Sequence, residues 1–319
     1  EEKDDPFRLS DLKKILTSQG FWIVALLCVL YYSAIFPFQK YAVNMLQCNL
    51  TLSEPAADSF WASNQVTIIQ YVIMLVVAAT AFAGNFCKGR NNKIVLFGLS
   101  GIALVTYCYF GYMRQSAEAI FAVFPLLAVG ITPILGSYVD HKGKAASMLV
   151  FGSLLLILCH LTFAFVLPAC KGYDGAGVAV AYITILVLGA SFSLVPASLW
   201  PSVPKLVDSK IIGSAYSLIF WIQNIGLWLF PLLIGKILTA TNSELAAQVA
   251  SHKITEEVAA VSYDYKWPLL MLAFLGLAAL FLGLYLKVLD RKKHLHLEDP
   301  NICAEEIPAD EAEMADAEA

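Results

Sequence analysis

The sequence predicts an all-α membrane protein of eight spans, and three observations carry that prediction. At 59% hydrophobic and 14% charged over 319 residues, with a mean hydropathy of +0.68, the chain is far more apolar than a soluble domain. Such domains run at roughly 45–50% apolar and about 25% charged. Apolar runs of the roughly 20 residues needed to cross a bilayer recur near 20–44, 63–84, 94–113, 119–138, 146–168, 178–200, 212–238 and 268–288. Finally, the basic residues segregate. With eight spans, fifteen Lys and Arg fall on the side of the chain ends, against four in the opposite loops (Arg114, Lys171, Lys253 and Lys266). That bias places both ends in the cytoplasm. An odd number of spans would scramble it.

Taken in order, residues 1–19 are polar, carry Lys13 and Lys14, and read as a cytoplasmic linker or surface helix. The bundle then runs over 20–290. Its first span holds Tyr31, Tyr32 and Phe36 just ahead of Pro37. Prolines also interrupt later spans (Pro125, Pro133, Pro196, Pro231), which spanning helices tolerate when neighbours satisfy the freed backbone groups. Residues 48–62, 169–177 and 239–266 are polar connections. From 291 onward the chain reads as a cytoplasmic, acidic, disordered tail, low in complexity and rich in Ala, Glu and Asp. The chain opens on Glu and has the look of a piece of a longer protein.

Between the fourth and fifth spans lies Gly136-Ser137-Tyr138-Val139-Asp140-His141-Lys142-Gly143-Lys144. Gly136 and Asp140, four apart, share a helical face. The glycine admits a neighbouring helix, and the carboxylate one turn later can face that neighbour's positive N-terminal end. Gly143 can supply the positive φ of a tight turn, and Lys142 and Lys144 mark the cytoplasmic side. Taken alone, the spacing also fits an ordinary charged loop.

No Asp or Glu lies within the spans as drawn, and His160 is the lone ionisable group deep inside one. A histidine there can carry a proton. It can equally stay neutral and hold helices together by a hydrogen bond. Tyr31, Tyr32 and Phe36, next to a proline break, are candidates for substrate contact, because carriers place substrates at interrupted helices near mid-membrane. Gln223 and Asn224 are costly in lipid unless they face protein or a water-filled cavity. Trp200, followed by Pro201, ends a span where it can line or gate a cavity, although tryptophan is also common at the membrane interface.

The seven cysteines show no metal spacing. No phosphate loop, zinc set or nucleophile elbow occurs, so neither a cofactor nor a metal nor an enzymatic activity is expected. Arg291-Lys292-Lys293 reads as a membrane-side anchor, not a nucleic-acid contact.

The glycine-bracketed loop resembles the loop signature of the major facilitator superfamily, which occurs once in each six-helix half of those carriers. Three further stretches resemble its branch of lysosomal dipeptide transporters. They are Tyr31-Tyr32-Ser33-Ala34-Ile35-Phe36-Pro37-Phe38, Leu199-Trp200-Pro201, and Gly213-Ser214-Ala215-Tyr216 with Ile222-Gln223-Asn224-Ile225-Gly226. The resemblance covers about 20–45 and 119–290. It implies a major-facilitator-type bundle representing the C-terminal half, with the pair of spans in 63–114 as an insertion. That insertion suggests a prokaryotic relative. His141 departs from the pattern, standing where the family usually has Arg or Lys. Implied with the family are alternating access, a small organic solute such as a dipeptide, and uniport or proton-linked movement. Its implied partners are the lipid bilayer, the solute and the six-helix N-terminal half of the same carrier. Its implied place is the bacterial plasma membrane, or the lysosomal membrane in a eukaryote. Gly136, Asp140, Lys142, Gly143 and Lys144 would form one half of a conformational latch. The alternative function is a non-transporting membrane scaffold or accessory subunit.

Overall fold

Eight helices long and apolar enough to span a bilayer make up almost the whole of the computed structural model, which describes residues 9–52 and 55–301. In chain order, a short α1 (Leu9–Thr17) leads into α2 (Gln19–Asn49), α3 (Asn64–Phe86), α4 (Arg90–Arg114), α5 (Ala117–Lys142) and α6 (Ala145–Leu161). The fifth span continues from α6 through a π-helical turn, Thr162–Val166, into α7 (Leu167–Ala169). Then follow α8 (Asp174–Ser202), α9 (Ile212–Thr241), the short α10 (Ser243–Ala250) and α11 (Glu256–Ala260), and α12 (Lys266–Lys293). No strand occurs among the described residues.

Connections alternate between two faces. The end face gathers α1, the turns between α3 and α4 and between α5 and α6, the α8–α9 connection and the end of α12. The far face gathers the other connections, including α10 and α11.

In lipid, apolar burial does not by itself draw helices together, so close packing and interhelical hydrogen bonds hold the bundle. The first span, α2, is the spine. Two-thirds of its apolar window is buried against α9, α12, α5 and α8. Ser18 caps it, accepting from the Phe21 N–H. Gly226 of α9 lets that helix close onto α2, since a Cβ there would run into Ser33 Oγ and stand 2.9 Å from Val29 Cγ1. Ser191 of α8 donates to the Gly152 carbonyl of α6 at 2.9 Å. The α3–α4 pair packs mainly on itself and along one side on α5. Most of its surface stays open: Ile69, Val72, Leu75, Val105 and Tyr109 are all exposed.

The two largest departures from the expected span boundaries are at the ends of the first and last spans. The first span runs on to Asn49, where the hydropathy suggests an end near 44. The last helix runs to Lys293, and residues 294–301 then fold back onto the end face instead of leaving it. The expected disordered tail therefore begins no earlier than residue 302. Residues 302–319 lie outside the described residues, as do Lys3 and Arg8.

Candidate functional site

The candidate side chains on α2 divide between two faces because successive residues turn by about 100°. Tyr31 points into the bundle. It is fully buried, and its hydroxyl meets the Leu149 carbonyl and, at 2.5 Å, Ser153 Oγ of α6. Phe38, two turns on, lies on the same face and stacks on Phe163 at 5.2 Å. His160 belongs to this interior too. It has no solvent exposure, its Nδ1 lies 2.9 Å from the Leu156 carbonyl of its own helix, and its ring meets Phe38 edge-on at 5.4 Å. Among the described residues its Nε2 has no partner.

Tyr32 and Phe36 take the other face. One turn apart, they stack with ring centroids 5.4 Å apart and planes 4° from parallel. Phe192 of α8 meets both edge-on, at 6.3 and 5.9 Å. Two turns further along α8, Trp200 donates through Nε1 to the Tyr32 hydroxyl at 3.2 Å. Its other side stacks on Phe220 of α9 at 4.8 Å, and its carbonyl accepts from the Tyr216 hydroxyl at 3.0 Å. Each ring pair adds about 0.5–1.5 kcal/mol beyond its area. The result is a continuous aromatic wall from α2 through α8 to α9.

Gln223 and Asn224 likewise part company. Gln223 is buried, and its Oε1 accepts from Cys28 Sγ at 3.1 Å, tying α9 to α2. Asn224 is exposed beside Phe220. Its amide donates to the Phe220 carbonyl at 2.8 Å, an i to i−4 bond.

Next to the wall is a groove of about 420 Å³ lined by Phe36, Pro37, Gln39, Lys40, Phe121, Leu227 and Pro231. Phe36 belongs to both. Larger hollows of about 710 and 810 Å³ lie among the far-face connections and touch none of these residues. Sequence reasoning missed Gln39, Lys40 and Phe192. With the span drawn to residue 44, Lys40 looks terminal. The helix actually continues through Tyr41–Asn49. Phe192 sits in an apolar run that gives no cue to its orientation.

On the end face, Lys142 ends α5, Gly143 follows with φ +73°, and Lys144 starts α6 from a left-handed conformation at φ +66°. Both lysines are exposed. Gly136 faces open space, with nothing within 4 Å of where a Cβ would stand. Residues 294–301 cross the turn as a strap. Glu298 O accepts from the Lys144 N–H at 2.9 Å, and a Cβ on Gly143 would collide with the strap's backbone. Asn301 donates twice to Asp140, from its amide side chain to Oδ1 at 2.8 Å and from its backbone to the carbonyl at 2.9 Å. Lys205 holds the carbonyls of His296 and Asp299 at 2.9 and 2.7 Å. Leu297, fully buried, donates its N–H to Asp290 Oδ1 at 3.0 Å. No cluster of three metal-ligating side chains occurs among the described residues.

Part of the chain is similar to known proteins. The chain is 30% identical over 148 residues to the lysosomal dipeptide transporter MFSD1 of Bos taurus, and 28% identical over the same length to that of Homo sapiens. It is 28% identical over 131 residues to that of Gallus gallus. The chain is a relative of a major facilitator transporter. The bovine match takes in 46% of this chain and 29% of the transporter, so this relative spans under a third of the proteins it matches. No family model and no solved structure matches it. Kinship with a transporter suits a multi-pass helical protein.

Proposed function

We propose that this chain is the C-terminal part of a major facilitator carrier that moves a small organic solute, dipeptides foremost, by alternating access. The observation that carries the reading is the similarity to MFSD1, whose name gives a dipeptide transporter. The geometry supports it. The aromatic wall of Tyr32, Phe36, Trp200 and Phe220 and the groove beside it form one side of a site, and Asn224 and Gly136 face out of the chain. A partner bundle, the N-terminal six helices of the same carrier, would supply the other side. Two bundles rocking about a shared central site open it to one membrane face at a time.

The loop of Gly136, Asp140, Lys142, Gly143 and Lys144 is half of a latch in this reading, with its counterpart on the other bundle. Both termini lie in the cytoplasm, following the distribution of basic residues. The membrane is lysosomal if the source is eukaryotic and the plasma membrane if it is bacterial. The α3–α4 pair is an insertion facing lipid. Transport is by uniport or with a proton.

The test is uptake of labelled dipeptide into liposomes by the full-length protein and by this chain alone. Uptake by the full-length protein and none by the chain is the expected result. Uptake by the chain alone, or by neither, sinks the reading.

A further inference from the structure

Lys40 is the cation set deepest in any described span. Nine helical residues, Tyr41–Asn49, separate it from the far-face end of α2, about 13 Å at 1.5 Å per residue. Lys236 is five residues from the end of α9 and Lys287 six from the end of α12. An ammonium inside a span is costly and is normally paired or turned toward a functional cavity. Among the described residues nothing lies within hydrogen-bond or ion-pair distance of Lys40 Nζ. The side chain is exposed. It lines the groove with Gln39 on one side and Phe36, Pro37, Phe121, Leu227 and Pro231 around it.

That combination specifies a ligand. One ammonium and one amide, set among apolar walls, fit a monoanion. A phosphate dianion would call for more donors. The groove's volume, about 420 Å³, is near the small end of ligand pockets and has no room for a two-chain lipid. Phe36 continues it into the aromatic wall, so a carboxylate held at Lys40 leaves the remainder of a small solute against Phe36 and Tyr32. We propose that Lys40 binds the free carboxylate of the solute and thereby selects for it, Gln39 donating a second hydrogen bond. The proposal rests on the carrier reading above and adds the substrate's charged end to it.

The experiment uses the full-length carrier in liposomes with alanyl-alanine and its C-terminal amide, reading both uptake and thermal stabilisation. The wild type is expected to favour the free acid over the amide by roughly tenfold, the scale of a charge-assisted contact. Lys40→Gln is expected to remove that preference, raising the apparent KM for the acid about tenfold and leaving the amide unchanged. Lys40→Arg should keep most of it. Two results overturn the proposal and leave the carrier reading standing. One is a wild type that transports acid and amide alike. The other is a Lys40→Gln protein that loses both equally, as it would if Lys40 paired with an acid on the other bundle. A wild type that neither takes up nor is stabilised by alanyl-alanine overturns both.

Discussion

Glu298 caps α6 through Ser147, a residue 151 positions earlier in the chain. Its carboxylate accepts from the Ser147 backbone N–H at 2.7 Å and from the Ser147 hydroxyl at 2.8 Å. The N-cap position of α6 is Lys144, which offers no side-chain acceptor. The first N–H groups of a helix need such an acceptor, and a negative charge there also suits the helix dipole. Lys287 of α12 completes the knot, donating to Ser147 Oγ at 2.6 Å. Losing a cap costs about 0.5–2 kcal/mol. Glu298→Ala in the full-length protein should lower the unfolding temperature in detergent and open residues 294–301 to limited proteolysis. An unchanged melting curve and digestion pattern would show that the strap does not depend on this cap.

Tyr31 and Tyr32 are neighbours in sequence with opposite surroundings, which separates stability from recognition. Removing the Tyr31 hydroxyl deletes its bonds to α6, and interhelical hydrogen bonds in membranes average about 0.6 kcal/mol. Tyr31→Phe should therefore lower thermal stability slightly and leave the apparent KM for the solute alone. Tyr32→Ala removes the stacking partner of Phe36 and the acceptor for Trp200. It should raise the KM severalfold at normal surface abundance. Uptake kinetics of the two variants side by side decide the matter; the reverse pattern would exchange their roles.

The contrast between those two tyrosines also shows what the sequence could reveal. Eight spans were legible because length and hydropathy are read directly against bilayer thickness. Which face of a span turns inward was not, because lipid is as apolar as the bundle interior and the amphipathic stripe of a soluble helix is missing. So Tyr31, Tyr32, Gln223 and Asn224 could be named together, yet only geometry put Tyr31 and Gln223 inside and Tyr32 on the wall. Lys40 was obscured by Asn44, Gln47 and Asn49, which make the last turns of α2 look like a loop. The strap was hidden for the opposite reason. His294, His296, Asp299 and Pro300 read as tail, and one buried leucine, Leu297, is too little apolar signal to announce a docked segment.

His160 offers two readings with different pH behaviour. Its burial, its bond to the Leu156 carbonyl and its place behind Phe38 set it apart from the groove and the aromatic wall. That placement favours the packing reading, which the following variant tests. His160→Gln in the full-length carrier should reduce thermal stability and keep the ratio of uptake at acidic and neutral pH at its wild-type value. A flattened pH profile in a variant of normal abundance would instead assign His160 to the proton path.

Asp140 can act through the strap or through the other half of the carrier, and its hydrogen bonds allow the two to be told apart. Asn301→Ala removes only the donor to Asp140 Oδ1. The Asn301 backbone bond to the Asp140 carbonyl, the Glu298 cap and the Lys205 contacts all remain to hold the strap. Asp140→Asn keeps the side chain's shape and removes its charge, which is the property a helix N-terminus on the opposing bundle would recognise. In the latch reading, Asp140→Asn shifts the full-length carrier toward the inward-open state, and Asn301→Ala does not. Cysteine accessibility from each side of the membrane, with and without solute, measures that shift. If Asn301→Ala moves the population as far as Asp140→Asn does, the carboxylate works by positioning the strap. If neither moves it, the loop is no latch.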